Sequence, residues 1–138
     1  MIEKFTAPDV TALVVEDDHS QRDLLVRLLE AMGAVKVFVA EEGGEGLRIA
    51  FEQQPAVVIC DLEMKPIDGL ALLGGIRSSL NTIVAGTPVV MFTANKDTIV
   101  AKRAKALGVS GYLVKPFNPK GFSGFITALL NRKAEDDA

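Results

Sequence analysis

Apolar residues fall into two kinds of segment that alternate along the chain. Short unbroken runs rich in β-branched residues occur five times, at 12–15, 35–39, 56–60, 88–92 and 111–114. Runs this short, bounded by turn or charged residues, predict strands covered on both faces. Longer segments with helical spacing separate them. Leu24, Leu25, Leu28, Leu29 and Met32 mark one stripe, with Gly33 where a residue closing a helix belongs. Leu72, Leu73, Ile76 and Leu80 mark another, and Ile99, Val100, Ala104 and Leu107 a third, followed by Gly108. Phe122, Phe125, Ile126, Leu129 and Leu130 mark the last and clearest. The segment 43–53 is the poorest helix, because Gly43, Gly44 and Gly46 crowd its first turn. Five strand–helix repeats predict an α/β domain: a parallel sheet with helices on both faces, joined by right-handed crossovers.

Composition narrows the class. The 138 residues are 49% hydrophobic and 24% charged, which suits one globular domain. Fifteen Lys and Arg against 18 Asp and Glu leave a net charge of -3, which argues against a direct nucleic-acid binder. Cys60 is the single cysteine, so no disulfide scaffold is available and a reducing, cytoplasmic setting is expected. Glu3, Lys4, Pro8 and Asp9 interrupt the start where a signal peptide needs an apolar core, and no run approaches the roughly 18 apolar residues that span a bilayer. No membrane insertion is expected.

Candidate chemistry lies where the strands end. In an open parallel α/β sheet, ligands bind beyond the C-terminal strand ends. The first run leads into Glu16, Asp17 and Asp18, the third into Asp61, the fourth into Thr93 and the fifth into Lys115. If Glu16, Asp17 and Asp61 converge, like charges about 5 Å apart repel by roughly 3 kcal/mol at an effective dielectric near 20. Such a cluster either raises a pKa or recruits a cation, and hard carboxylate oxygens suit Mg²⁺. A lysine and a threonine opposite could hold phosphoryl oxygens, and an aspartate can attack phosphorus. Metal-assisted phosphoryl transfer onto a carboxylate fits this set.

These pieces, in order, resemble the receiver domain of two-component response regulators over about residues 10–132. They are Leu13-Val14-Val15-Glu16-Asp17-Asp18, Asp61-Leu62-Glu63-Met64 through Asp68-Gly69, Met91-Phe92-Thr93-Ala94, and Gly111-Tyr112-Leu113-Val114-Lys115-Pro116-Phe117. The resemblance implies a flavodoxin-like sheet of order 2-1-3-4-5 with five helices. It implies that Asp61 accepts a phosphoryl group from the phosphohistidine of a sensor histidine kinase or phosphotransfer protein. Mg²⁺, with Mn²⁺ as a substitute, would be held by Asp17, Asp61 and the Glu63 backbone carbonyl, with Glu16 acting through water. Lys115 and Thr93 would take the phosphoryl oxygens, and Tyr112 would turn inward as Thr93 moves. The face of the fourth helix, fifth strand and fifth helix would then change its affinity for a downstream protein, whose identity the residues do not specify. The Lys115–Pro116 bond would be cis. The chain would be a switch, catalysing only its own phosphorylation and dephosphorylation, with 133–138 as a frayed polar tail and no output domain.

Other residues have plainer readings. Asp18 directly precedes a helical stripe and reads as its N-cap. His19 reads as a surface residue, Cys60 as an inert buried thiol, and Lys102, Arg103 and Lys105 as a solvated helix face. Tyr112 fits a switch and plain packing equally. Lys65 and Pro66 depart from the family, which most often has proline directly after Met64. Glu63 and Asn95 stand where the family tunes dephosphorylation. Gly121 and Gly124 predict a loose last helix, open to a partner. Two rival functions remain at this point: an aspartate-nucleophile phosphohydrolase, weakened by Glu63 where a second Asp is usual and by the lack of length for a cap, and a phosphorylation-independent interaction module.

Overall fold

The computed structural model describes residues 2–64, 68–94 and 98–137. Five strands, β1 (Thr11–Val15), β2 (Lys36–Ala40), β3 (Val57–Asp61), β4 (Val89–Thr93) and β5 (Gly111–Val114), form one parallel sheet of order β2-β1-β3-β4-β5. Six helices connect and follow them: α1 (His19–Ala31), α2 (Gly43–Gln53), α3 (Gly69–Arg77), α4 (Thr82–Ala85), α5 (Thr98–Ala106) and α6 (Pro119–Asp137).

Alternation along each strand explains the unbroken apolar runs. Leu13 and Val15, Val58 and Cys60, and Val89 and Met91 face one way, against Ile49 and Ala50 of α2, Leu72, Leu73 and Ile76 of α3, and Ala104 of α5. Ala12 and Val14, Val57 and Ile59, and Val90 and Phe92 face the other way, against Leu25, Leu28 and Leu29 of α1 and Phe122, Ile126 and Leu129 of α6. A strand with helices on both faces has no wet side, so period-two polarity disappears. Tyr112, paired with Met91 in the sheet, packs half-buried on the α2–α5 side.

Several elements differ from expectation. Among the described residues the helices number six, because Thr82–Ala85 forms a single turn capped by the Asn81 side chain, which accepts from Ile83 N and Val84 N. A four-residue turn carries no 3.6-residue period to read. The segment expected as the fourth helix is therefore α5, and the fifth is α6. Leu80 lies beyond the end of α3 and is fully exposed. Leu24 and Ile99 are also exposed, since α1 and α5 seat only one narrow stripe each on the sheet. Residues 133–137, expected as a frayed tail, continue α6, with an ion pair from Lys133 Nζ to Asp137 Oδ1 at 3.3 Å.

The last helix is not left open at Gly124. Residues before β1 fold back over it: Ser123 Oγ accepts from Glu3 N at 3.0 Å, and Thr127 Oγ1 donates to Glu3 Oε2 at 2.6 Å. Gly111 is required by packing, since a Cβ there would stand 2.2 Å from the Phe125 ring.

The sheet end opposite the acidic residues is tied together by Arg77. Its guanidinium donates to the carbonyls of Gly108 (2.9 Å), Ala85 (2.9 Å) and Thr87 (2.6 Å) and to Ser110 Oγ (3.1 Å). Burial lowers its pKa, and the carbonyl oxygens hold the cation in place of a carboxylate. Arg77→Met strands those acceptors and is expected to cost about 2–3 kcal/mol. Urea unfolding with an unchanged m-value checks this, and a loss under about 0.5 kcal/mol would mean water replaces the guanidinium freely.

Candidate functional site

The register of the sheet assembles the site. Val15 pairs with Cys60 and Asp61 with Phe92, so residues just past β1 and at the end of β3 lie side by side at one rim. Asp61 and Thr93 are the last residues of their strands, one step further inside the ladder than the apolar runs suggest. Leu62 N bonds Phe92 O at 3.2 Å and Lys115 N bonds Thr93 O at 2.8 Å, which fixes both backbones. The Lys115–Pro116 bond is cis.

Glu16, Asp17 and Asp61 each bring a carboxylate oxygen within 4.8 Å of the others. Glu16 and Asp61 are buried, whereas Asp17 is exposed. The loop carrying the first two is held from α1. Arg22 Nη1 donates to Glu16 O at 2.9 Å, and Arg22 Nη2 lies 3.7 Å from Glu41 Oε1. Asp18 is the N-cap of α1, accepting from Gln21 N at 2.9 Å. His19 is exposed and its Nδ1 sits 3.1 Å from Arg22 Nη2.

Asp61 is held on both oxygens. Oδ1 accepts from Glu63 N at 3.1 Å, and Oδ2 lies 3.6 Å from Lys115 Nζ. Lys115 is shared: its ammonium donates to Gln21 Oε1 at 2.5 Å and lies 4.8 Å from the centre of the Phe92 ring. Thr93 is wholly buried and donates its hydroxyl to Glu63 Oε1 at 3.0 Å. Gly69 allows the return of the chain to this rim. A Cβ there would stand 2.7 Å from Asp61 O, and Gly69 N bonds Leu62 O at 3.0 Å. Asp68 caps α3 through Ala71 N, so it serves the helix and not the cluster.

Sequence reasoning found Glu16, Asp17, Asp61, Thr93 and Lys115, and the fold brings all five to one rim. It missed Gln21 as a partner of Lys115 and the Glu63 carboxylate as a partner of Thr93. Neither carries a local signal, since the pairs are 94 and 30 positions apart. Lys65, Pro66 and Asn95 lie outside the described residues. Cys60 is buried, its thiol pushed up mainly by that burial, and it donates to Asp61 O at 3.2 Å. Lys102, Arg103 and Lys105 are exposed on α5. A cleft of about 530 Å³ opens at Asp17 and Glu63 and runs to Val100 and Arg103.

The electrostatics leave one carboxyl unsupported. Glu16 is pushed up to about 8, first by burial and then by the adjacent Asp61, through hydrogen bonding and negative charge. Lys115 and the Asp18 N–H oppose this incompletely. Glu16 Oε2 is buried without an ordinary hydrogen-bond partner among the described residues. Buried hard oxygens, surplus negative charge and an orphaned lone pair together fit a small divalent cation.

A carboxyl whose pKa is higher folded than unfolded stabilises the fold at low pH and loses that contribution as pH rises. In chelator, wild-type protein should therefore lose stability relative to Glu16→Gln between pH 4.5 and about 8. Added Mg²⁺ should narrow the gap at the upper end. Thermal melts across that range check it, and a gap independent of pH would show that Glu16 ionises there without cost.

Comparison with known proteins adds a family. Residues 12–126 match the model of the response regulator receiver domain. A probable chemotaxis protein CheY of Rhizobium etli is 32% identical over 124 residues, covering 90% of this chain and 95% of that one. The DNA-binding response regulator MtrA of Mycobacterium tuberculosis is 30% identical, covering 91% of this chain but 53% of the relative. The chain thus spans about half of that longer regulator. Among solved structures, chemotaxis protein CheY4 of Vibrio cholerae superposes with a TM-score of 0.80 at 28% identity, covering 89% of this chain and 99% of that one.

Proposed function

The chain belongs to the response regulator receiver domain family, the signalling switches of two-component phosphorelays, and on that premise we propose that Asp61 is its phosphoryl acceptor. The observation that carries this reading is the meeting of three carboxylates within 4.8 Å, with Lys115 3.6 Å from Asp61. The donor is a phosphohistidine on a sensor kinase or phosphotransfer protein. An Asp61 oxygen attacks phosphorus, the P–N bond breaks as the O–P bond forms, and the imidazole leaves with the electron pair and takes up a proton.

Each residue has a task in that transfer. Lys115 balances the charge of Asp61 beforehand and of the phosphoryl group afterwards. Thr93 turns its hydroxyl to a phosphoryl oxygen. Asp17, Asp61 and the Glu63 carbonyl would hold Mg²⁺, or Mn²⁺ in its place, with Glu16 acting through water. A bound divalent ion supplies positive charge that offsets the carboxylates and the developing phosphoryl oxygens. Phe92 lies beneath the Lys115 ammonium and keeps bulk water from that side. The chain catalyses only its own phosphorylation and dephosphorylation, in the cytoplasm, where its lone buried thiol stays reduced.

The output is a change in protein affinity. Thr93 and Val114 are paired across β4 and β5, and Lys115 follows directly, so movement at Thr93 and Lys115 is transmitted to the β5 edge. The face of α5, β5 and α6 carries exposed apolar groups, Ile99 and Val114, suited to a downstream protein. Tyr112 is the side chain that follows Thr93 on the α5 side.

Two substitutions test this. Asp61→Asn should abolish labelling by a small acyl phosphate in Mg²⁺, read by intact mass, whereas persistent labelling at another residue removes the central assignment. Asp17→Asn should weaken Mg²⁺ binding by at least about tenfold, ~1.4 kcal/mol. Unchanged affinity by calorimetric titration would argue against the acidic pocket as the metal site.

A further inference from the structure

We propose that the Glu63 side chain is a latch on the switch, holding the Thr93 hydroxyl in the unphosphorylated arrangement until a phosphoryl group on Asp61 displaces it. This rests on the reading of Asp61 as acceptor and adds a positioning residue to it.

A threonine hydroxyl has one proton to donate. That proton is directed at Glu63 Oε1, 3.0 Å away, so Thr93 has to leave Glu63 before it donates to a phosphoryl oxygen. Thr93 is wholly buried, so water cannot readily replace an acceptor that it loses, and a phosphoryl oxygen competes with Glu63 Oε1 for this proton. Glu63, by contrast, is exposed and its carboxylate can swing into solvent.

The geometry also supplies a release. Glu63 N donates to Asp61 Oδ1 at 3.1 Å, so the base of the latch rides on the side chain that is modified. A phosphoryl group there brings about -1.5 to -2 charges next to the Glu63 carboxylate. The same charge that attracts the Thr93 proton repels the group holding it. The expected ligand role of Glu63 is through its backbone carbonyl, so replacing the side chain leaves that oxygen in place.

The test is a double-mutant cycle read by the affinity for beryllofluoride in Mg²⁺, an acyl-phosphate mimic, by calorimetric titration. Glu63→Ala should tighten binding by about three- to tenfold, the range for one partly exposed hydrogen bond to a charged acceptor. The gain should persist with Thr93→Ser, which keeps the hydroxyl, and vanish with Thr93→Val, which lacks it. An equal gain in all three backgrounds would mean simple charge removal and would overturn the latch, as would no gain in the wild-type background. Failure of the wild-type protein to bind beryllofluoride, or equal binding by Asp61→Asn, would instead overturn the assignment of Asp61, so the two failures are separable.

Discussion

Glu16 and Asp61 are buried side by side, with Asp17 near them, and the rest of the rim is arranged around that unfavourable placement of like charge. The Lys115 ammonium stands nearby, and Gln21 and Asp61 share it. The neighbours do not neutralise the pair, so Glu16 is driven toward its protonated form. A site left in deficit of positive charge is prepared for a cation and for the transient anion that a cation helps to hold. Burial with imperfect compensation is costly to the fold and useful to the chemistry, which is the usual relation between strain in charge and function.

What bears that cost is the sheet. Both faces of β1, β3 and β4 are covered by helices, in two apolar clusters that share no residues, so the strand ends are placed by packing on either side. Asp61 and Thr93 take part in the ladder itself, which gives them positions that loops could not keep. The close return at Gly69 brings α3 against the backbone of Asp61 without a Cβ in the way. At the far end Arg77 ties α3 to the turns that precede β4 and β5. Rigidity thus lies beneath the site and behind it, and freedom is left to the side chains at its surface.

Under the proposed assignment of Asp61, side chains at the rim carry the signal, the buried Thr93 among them. The Thr93 hydroxyl and the Lys115 ammonium each already hold a partner, Glu63 for one and Gln21 for the other, which the proposed phosphoryl group would have to compete with. A switch needs competing arrangements of comparable energy, and exchanging one hydrogen bond for another supplies that more readily than moving a packed core.

Much of this was legible in the chain itself. Strand runs and helical stripes are local periodicities, so the five strands could be read with boundaries within one residue and the main helices by their place between them. The acidic pair after β1, Asp61, Thr93 and Lys115 were found because each ends an apolar run, and parallel strands place such ends on one rim. Asp18 as a cap was likewise a matter of neighbours in sequence. The one-turn helix at Thr82–Ala85, the exposure of Leu80 and the continuation of α6 through 133–137 were not legible, since each depends on what lies beside the segment and not on its own pattern. The fold also decided that Glu3 packs on α6, that Glu63 holds Thr93 and that Gln21 holds Lys115. Sequence determined which chemical groups stand at the strand ends, because spacing along one chain is a local property. Only tertiary structure determined which group each one touches, because those distances are set by packing between segments far apart in the chain.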